Sequence, residues 1–299
     1  MEAFPRRYYK MMQLLLELGI ASTPLFLAAL GALVTDCSGT LGIFLEGSVT
    51  MGAYLSYVLG VYSGSSWGAI IIPALAGGLV GGALGWFVTV TGANPFVAAL
   101  AMNMLIGAYV SHSEALLFGS RGVLQDSRFS VLALVRDKTL YTSLSMGFAL
   151  LTALVLWYAL YRTPWGLRLR CSGRSLEAAR LKGIRPEGYR ISAWAIGSAL
   201  AAAAGSLITL RLGAFVPGST TGRGWIALVL IFLGFKKIGG VLVGTFLFSL
   251  LERIGFASQA RLHIPATILL GLPFFLALML YTVSQVIQRK QWRHHDRST

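Results

Sequence analysis

Of 299 residues, 56% are hydrophobic and only 12% are charged, about half the ~25% charged share of a soluble globular domain. That excludes an ordinary water-soluble protein, whose surface must stay largely wet, and points to lipid as the medium. The 25 Lys and Arg against 11 Asp and Glu would suit nucleic acid, but their clustering excludes it. They gather as Arg6, Arg7 and Lys10, as Arg162, Arg168, Arg170, Arg174, Arg180, Lys182, Arg185 and Arg190, and as Arg289, Lys290, Arg293 and Arg297, the pattern of short cytoplasmic loops beside anionic lipid.

Between the clusters, residues 47–113, 139–161, 191–210 and 264–288 carry no Asp, Glu, Lys or Arg. A helix of about 20 apolar residues spans the hydrocarbon core, and backbone groups in lipid must be satisfied within the element. The fold class read from this is an all-α polytopic membrane protein with about 8–10 transmembrane helices, some of them broken. Its segments fall roughly at 12–34, 41–62, 67–91, 94–116, 139–161, 190–211, 224–235, 238–254 and 264–288. The first apolar run, Met11 to Thr35, is too long for a signal-peptide core and reads as a retained span. Cys37 follows it like a lipoprotein cysteine, but Asp36 and the later spans argue against that. Cys37 and Cys171 give no disulfide framework.

The basic clusters predict that the 162–190 loop, the N-terminus and the 289–299 tail all face the cytoplasm of a bacterial inner membrane. Five segments precede the loop, an odd number, so one of them must be broken or 94–138 must hold an extra crossing. Segment 41–62 is the best candidate for a broken one, because Gly39, Gly42 and Gly47 weaken its start and Glu46 sits inside it. Gly77, Gly81 and Gly85, Gly78 and Gly82, and Gly240 and Gly244 recur every fourth position, a spacing that lets helices approach closely. The halves echo each other weakly: Thr35 to Gly39 and Thr220 to Gly224 each lead into an interrupted segment, a pattern that marks a site between repeats.

The long basic loop holds a short amphipathic helix. Ser175 can cap it, Glu177 suits its positive end, and Gly183 stops it. Two turns are not stable alone, so this helix needs a partner surface, or it rests on lipid headgroups. No phosphate-cradling Gly-rich loop with Lys-Ser/Thr is present. There is no catalytic triad or metal spacing, and His294 and His295 sit in a polar tail. The chain reads as a single domain, 1–299, and not an enzyme.

The Glu177-Ala178-Ala179 run before Gly183-Ile184 resembles the coupling loop, 163–189, of ATP-binding-cassette (ABC) importer permeases. The chain as a whole is similar to the branch handling nucleosides, simple sugars or riboflavin, and to ribose and branched-chain amino-acid type permeases. Three stretches carry the likeness. They are Ala32 to Gly52 with Leu45-Glu46-Gly47, Ala93-Asn94 through Asn103, and Ala214 to Gly234 with Gly222-Arg223-Gly224-Trp225. Gly42 and Pro95 stand where this branch usually has Asn and Gln. The likeness, over about 14–285, implies alternating-access transport of a small neutral ring-bearing solute.

It also implies partners: a second permease or a copy of this chain, a cytosolic ATPase that uses the ATP, and an extracytoplasmic solute-binding protein. No cofactor is bound by this chain. Ser175, Leu176, Glu177, Ala178, Ala179, Arg180, Lys182, Gly183 and Ile184 would contact the ATPase, with Leu176, Ala179 and Ile184 as the apolar face. Glu46, Asn94, Asn103, Arg223 and Trp225 are the candidate pathway residues. Glu46 lines the pathway, bonds broken backbone or caps a half-helix, and Arg223 binds carbonyls or pairs with Glu46. The rival reading is a secondary transporter or channel for a small polar solute, which would need a relay of intramembrane carboxylates.

Overall fold

The computed structural model describes residues 3–119 and 122–262 together with 279 and 282. The last proposed span, 264–288, apart from those two positions, the tail 289–299 with its histidines, and the side chains of Arg6, Arg7 and Lys10 lie outside what it describes. Within it the chain is helical: α1 Ala3–Cys37, α2 Leu45–Ser63, α3 Gly68–Thr91, α4 Pro95–Phe118, the short α5 Ser127–Ser130 and α6 Ala133–Arg136, α7 Lys138–Arg162, α8 Pro164–Arg174, α9 Leu176–Leu181, α10 Pro186–Leu212, α11 Arg223–Leu233 and α12 Ile238–Leu262. Six of these helices are long and apolar enough to cross a membrane, namely α3, α4, α7, α10 and the parts of α1 and α12 at Glu17–Cys37 and Ile238–Gly255.

Two sets of contacts define the faces. Asp36 at the end of α1 pairs with Lys236 at 2.9 Å, and Cys37 and Gly39 abut Gly173 of α8. These lie on the face that carries the Arg-rich loop, here called the basic face. Glu17 pairs with Arg253 on α12. At 1.5 Å per helical residue that pair stands about 30 Å from Cys37, at the opposite face.

The parity problem is thereby resolved differently from expectation. α1, α3, α4 and α7 run from face to face, and residues 38–63 carry the chain across between α1 and α3 with α2 as their helical part, so Glu17 lies opposite α8 rather than beside it. Segment 41–62 is interrupted at its start, where the glycines stand: residues 38–44 are non-helical, and α2 then runs unbroken from Leu45. The stretch 94–138 does not hold another crossing. α5 and α6 instead lie at the opposite face, tied there by a two-bond bridge between Leu124 and Phe215.

α10 is the central helix, packed on α1, α2 and α3, and small residues permit it. A Cβ added at Gly77 or Gly81 of α3 would stand about 2.5 Å from Ala202 or Ser198 of α10. α2 and α10 are closer still, at Gly52 and Gly205. Trp194, fully buried, fills the remaining gap between α10 and Phe44, with ring centroids 4.8 Å apart.

After α10 the chain turns back inward. Residues 213–222 descend without helix, and α11 completes the crossing in eleven residues. α11 then meets α12 at a turn where Phe235 and Lys236 both take left-handed backbone (φ 53° and 55°).

Candidate functional site

The inward stretch ends against the start of α2. Gly222 has φ +85° and precedes the first turn of α11, whose N-cap offers no side-chain acceptor of its own. The carboxylate of Glu46 supplies it from the other half: one oxygen accepts from Gly222 N–H at 2.6 Å, the other from Gly224 N–H at 2.8 Å. A helix start carries about half a positive charge, so a half-buried carboxylate is well placed there. Of the readings open in the sequence, capping of a half-helix is the one seen, and the half-helix is α11. No side chain fits at Gly224, because its Cβ would lie 2.5 Å from Glu46 N.

Asn103 on α4 holds the other side. Its Oδ1 accepts from Gly47 N–H at 2.8 Å, and its Nδ2 donates to Ile43 C=O at 2.9 Å. The start of α2 is thus capped from α4 while Glu46, in its first turn, caps α11. Hydroxyls extend the seam: Thr50 with Thr220 at 3.0 Å, Ser48 with Ser198 at 2.8 Å, and Trp194 N–H on Thr40 at 2.7 Å. Two short-start helices, one directed to each face, meet with their positive ends around one carboxylate. The geometry is that of paired interrupted segments near the midplane.

The other candidate pathway residues lie apart. Arg223 does not pair with Glu46; its guanidinium meets Glu252 of α12 at 3.2 Å. Asn94 caps α4, accepting from Phe96 N–H at 2.9 Å, in an exposed turn at the basic face. Trp225 is 41% exposed on the outer side of α11. The sequence reading passed over Glu252, although a lone carboxylate in an apolar helix asks for a cation. It also passed over the seam hydroxyls, which have no pattern until the helices are packed.

At the basic face, Ser175 Oγ accepts from Ala178 N–H at 3.2 Å and caps α9. Gly183, at φ +73°, ends it with Ile184 N–H bonded to Ala179 C=O at 3.0 Å. The apolar face differs from that expected. Ala179 is buried within the chain and Ile184 half-buried, whereas Leu181 is 89% exposed beside Leu176. Arg180 is tied to Glu187 at 2.6 Å. The helix is short because Ser175 and Gly183 bracket it.

The family of permease components of branched-chain amino acid transport systems matches residues 14–283 of the chain. A protein of Haloferax volcanii named as a glucose ABC transporter permease is 31% identical over 80% of this chain and 76% of its own length. The nucleoside ABC transporter permease of Lactococcus lactis is 26% identical over 87% of this chain and 88% of its own. The guanosine ABC transporter permease of Bacillus subtilis is 26% identical over 88% and 89%. No solved structure matches the chain at a comparable level. A fold of membrane-crossing helices around a half-helix seam, and a match over nearly the whole length, lead to one conclusion: the chain belongs to this permease family and is the membrane-spanning subunit of an ABC importer.

Proposed function

We propose that this subunit imports a neutral polyhydroxylated solute, a sugar or a nucleoside, with an ATPase docked on α9 and a solute-binding protein delivering from the far side. The observation that carries the docking assignment is α9 itself. It is capped at Ser175, stopped at Gly183, and presents Leu176 and Leu181 to the exterior. Exposed leucines on a helix too short to stand alone suit a groove on a partner. The relatives named for glucose, nucleosides and guanosine support a sugar or nucleoside as the solute. ATP is used by the ATPase, and the second membrane subunit is another permease or a copy of this one.

Two experiments test this reading. Leu181→Asp combined with Leu176→Asp is expected to cut co-purification of the ATPase at least fivefold while membrane levels hold. Gly183→Pro, which forces φ from +73° to about −65°, should act the same way. Ala179→Asp belongs to a different test, since Ala179 is buried and its replacement strikes folding. Full ATPase binding in the double leucine variant would refute the docking surface.

Orientation is tested with single cysteines after Cys37 and Cys171 are replaced by Ser. Ser127→Cys on the opposite face should react with an impermeant maleimide in intact cells, and Ser175→Cys should not. The reversed result would invert the membrane orientation.

A secondary transporter is not favoured. The chain's relatives are named as ABC transporter permeases, and Glu17, Glu46 and Glu252 are each held by a cation or a helix start, with Glu114 buried separately on α4.

A further inference from the structure

Two cavities lie one above the other against α1, between α7 and α12. The one nearer the opposite face has a volume of about 280 Å³ and a mixed lining, with Glu17, Lys138, Arg211 and Arg253 beside apolar residues such as Ile20 and Leu210. The deeper one, about 490 Å³, is an apolar groove lined by Phe26 on α1, Met146 and Leu150 on α7, and Val243 and Leu247 on α12.

The order is the same on all three helices going inward: Glu17 then Phe26 on α1, Lys138 then Leu150 on α7, and Arg253 then Val243 on α12. From Lys138 to Leu150 is about 18 Å along the helix, close to the half-thickness of a hydrocarbon core.

The charges do not balance. Glu17 is paired with Arg253, and among the described residues no carboxylate is paired with Lys138 or Arg211. Asp137, the neighbour of Lys138, is turned to its own helix start. There the Thr139 hydroxyl and the Leu140 N–H hold its carboxyl below the usual range. A ligand that fits both chambers carries an anionic head, which Arg and Lys recognise through charge-assisted bonds, and an acyl tail that fills an apolar slot.

We propose that the stacked pair is a binding site for an anionic phospholipid of the leaflet opposite α8, with its phosphate among Lys138, Arg211 and Arg253 and an acyl chain in the groove between α7 and α12. A soluble protein partner would fill the charged chamber and leave the groove empty. A zwitterionic lipid would fill the groove with no use for two surplus cations.

The test reconstitutes the full-length chain, with the subunits that co-purify, into bilayers doped with phosphatidylglycerol or phosphatidylcholine bearing a photoreactive diazirine in the acyl chain. Adducts are mapped by peptide mass spectrometry. Phosphatidylglycerol is expected to label peptides containing Leu150 and Val243 at least fivefold more than phosphatidylcholine. The double substitution Lys138→Gln and Arg211→Gln should remove that preference, while Arg168→Gln with Arg174→Gln on the basic face should leave it. Val243→Trp, which fills the groove from an exposed position, should lower labelling without altering the chain's melting temperature.

Equal labelling by both lipids would overturn the proposal. So would loss of preference in the basic-face control, or groove peptides that never label because residues 264–288 or another subunit occupy them. If the double substitution leaves labelling intact but weakens capture of the solute-binding protein, the cations belong to a protein interface and the lipid site is refuted.

Discussion

Glu46→Gln is expected to lower solute uptake about tenfold while the subunit still reaches the membrane. A carboxylate offers one oxygen to Gly222 N–H and one to Gly224 N–H, at 2.6 and 2.8 Å. A carboxamide has a single acceptor oxygen, and its NH2 would face the second N–H. Leaving that donor unsatisfied costs about 1–3 kcal/mol, and 1.4 kcal/mol is about tenfold in an equilibrium. Glu46→Ala removes both acceptors and the charge opposite the helix start, and should reduce membrane level as well. Arg223→Gln should also lower uptake several-fold, because it leaves the mostly buried carboxylate of Glu252 without its cation. Uptake of a panel of labelled hexoses and nucleosides, normalised to immunoblotted membrane protein, decides it. Unchanged uptake in Glu46→Gln would reduce the cap to an ornament of the fold.

The largest structural effect is expected at the contact of α2 with α10. A Cβ at Gly205 would lie 1.9 Å from Val49 O, and one at Gly52 would lie 2.0 Å from Ala202 O. These obstacles are backbone atoms, not flexible side-chain ends, so the helices must separate, and both sit deep in the core. Overpacking typically costs 1–3 kcal/mol, more where nothing can yield. Either substitution to Ala should therefore cut the folded fraction at least tenfold by fluorescence-detected size exclusion. Gly107→Ala and Gly147→Ala are the matched controls. Nothing lies within 4 Å of a Cβ at either, and losing a flexible residue in a helix gains about 0.5–1 kcal/mol. If all four behave alike, close approach is not what those glycines provide.

Much of this architecture was legible in the residues. Spans 67–91 and 139–161 fall within a residue of α3 and α7, the second because Asp137, Lys138 and Arg162 bound a charge-free stretch, the first because Gly64-Ser65-Ser66 and Gly92-Ala93-Asn94 mark turns on either side. The cap and stop of α9 were equally plain, since Ser175 and Gly183 act on backbone a few residues away. Long-range pairing was not legible. Arg223 was matched to Glu46 because both interrupt apolar runs, yet Glu46 went to backbone N–H groups and Arg223 to Glu252. Backbone donors at a helix start leave no mark on a sequence beyond a glycine. The burial of Ala179 was hidden for a similar reason: a two-turn helix has too few residues for its period to say which side is covered. Of the five segments read before α8, four are long and apolar enough to cross as helices, while the fifth, 41–62, holds the shorter α2 with Glu46 in its first turn.

The half-helix α11 has a consequence for how the chain is made. Eleven residues are too few for the insertion machinery to hold as a span, and of the N–H groups at their start Arg223's finds a nearby acceptor in Thr220 C=O while those of Gly222 and Gly224 turn to a distant one. That acceptor, Glu46, was synthesised some 176 residues earlier. α11 can therefore be seated only after α2 is already in the bilayer, and the N-terminal half acts as a template for the C-terminal one. A ribosome-bound chain arrested just past α12 should show residues 223–233 protected from water when α1 and α2 are present, and open to it when they have been deleted.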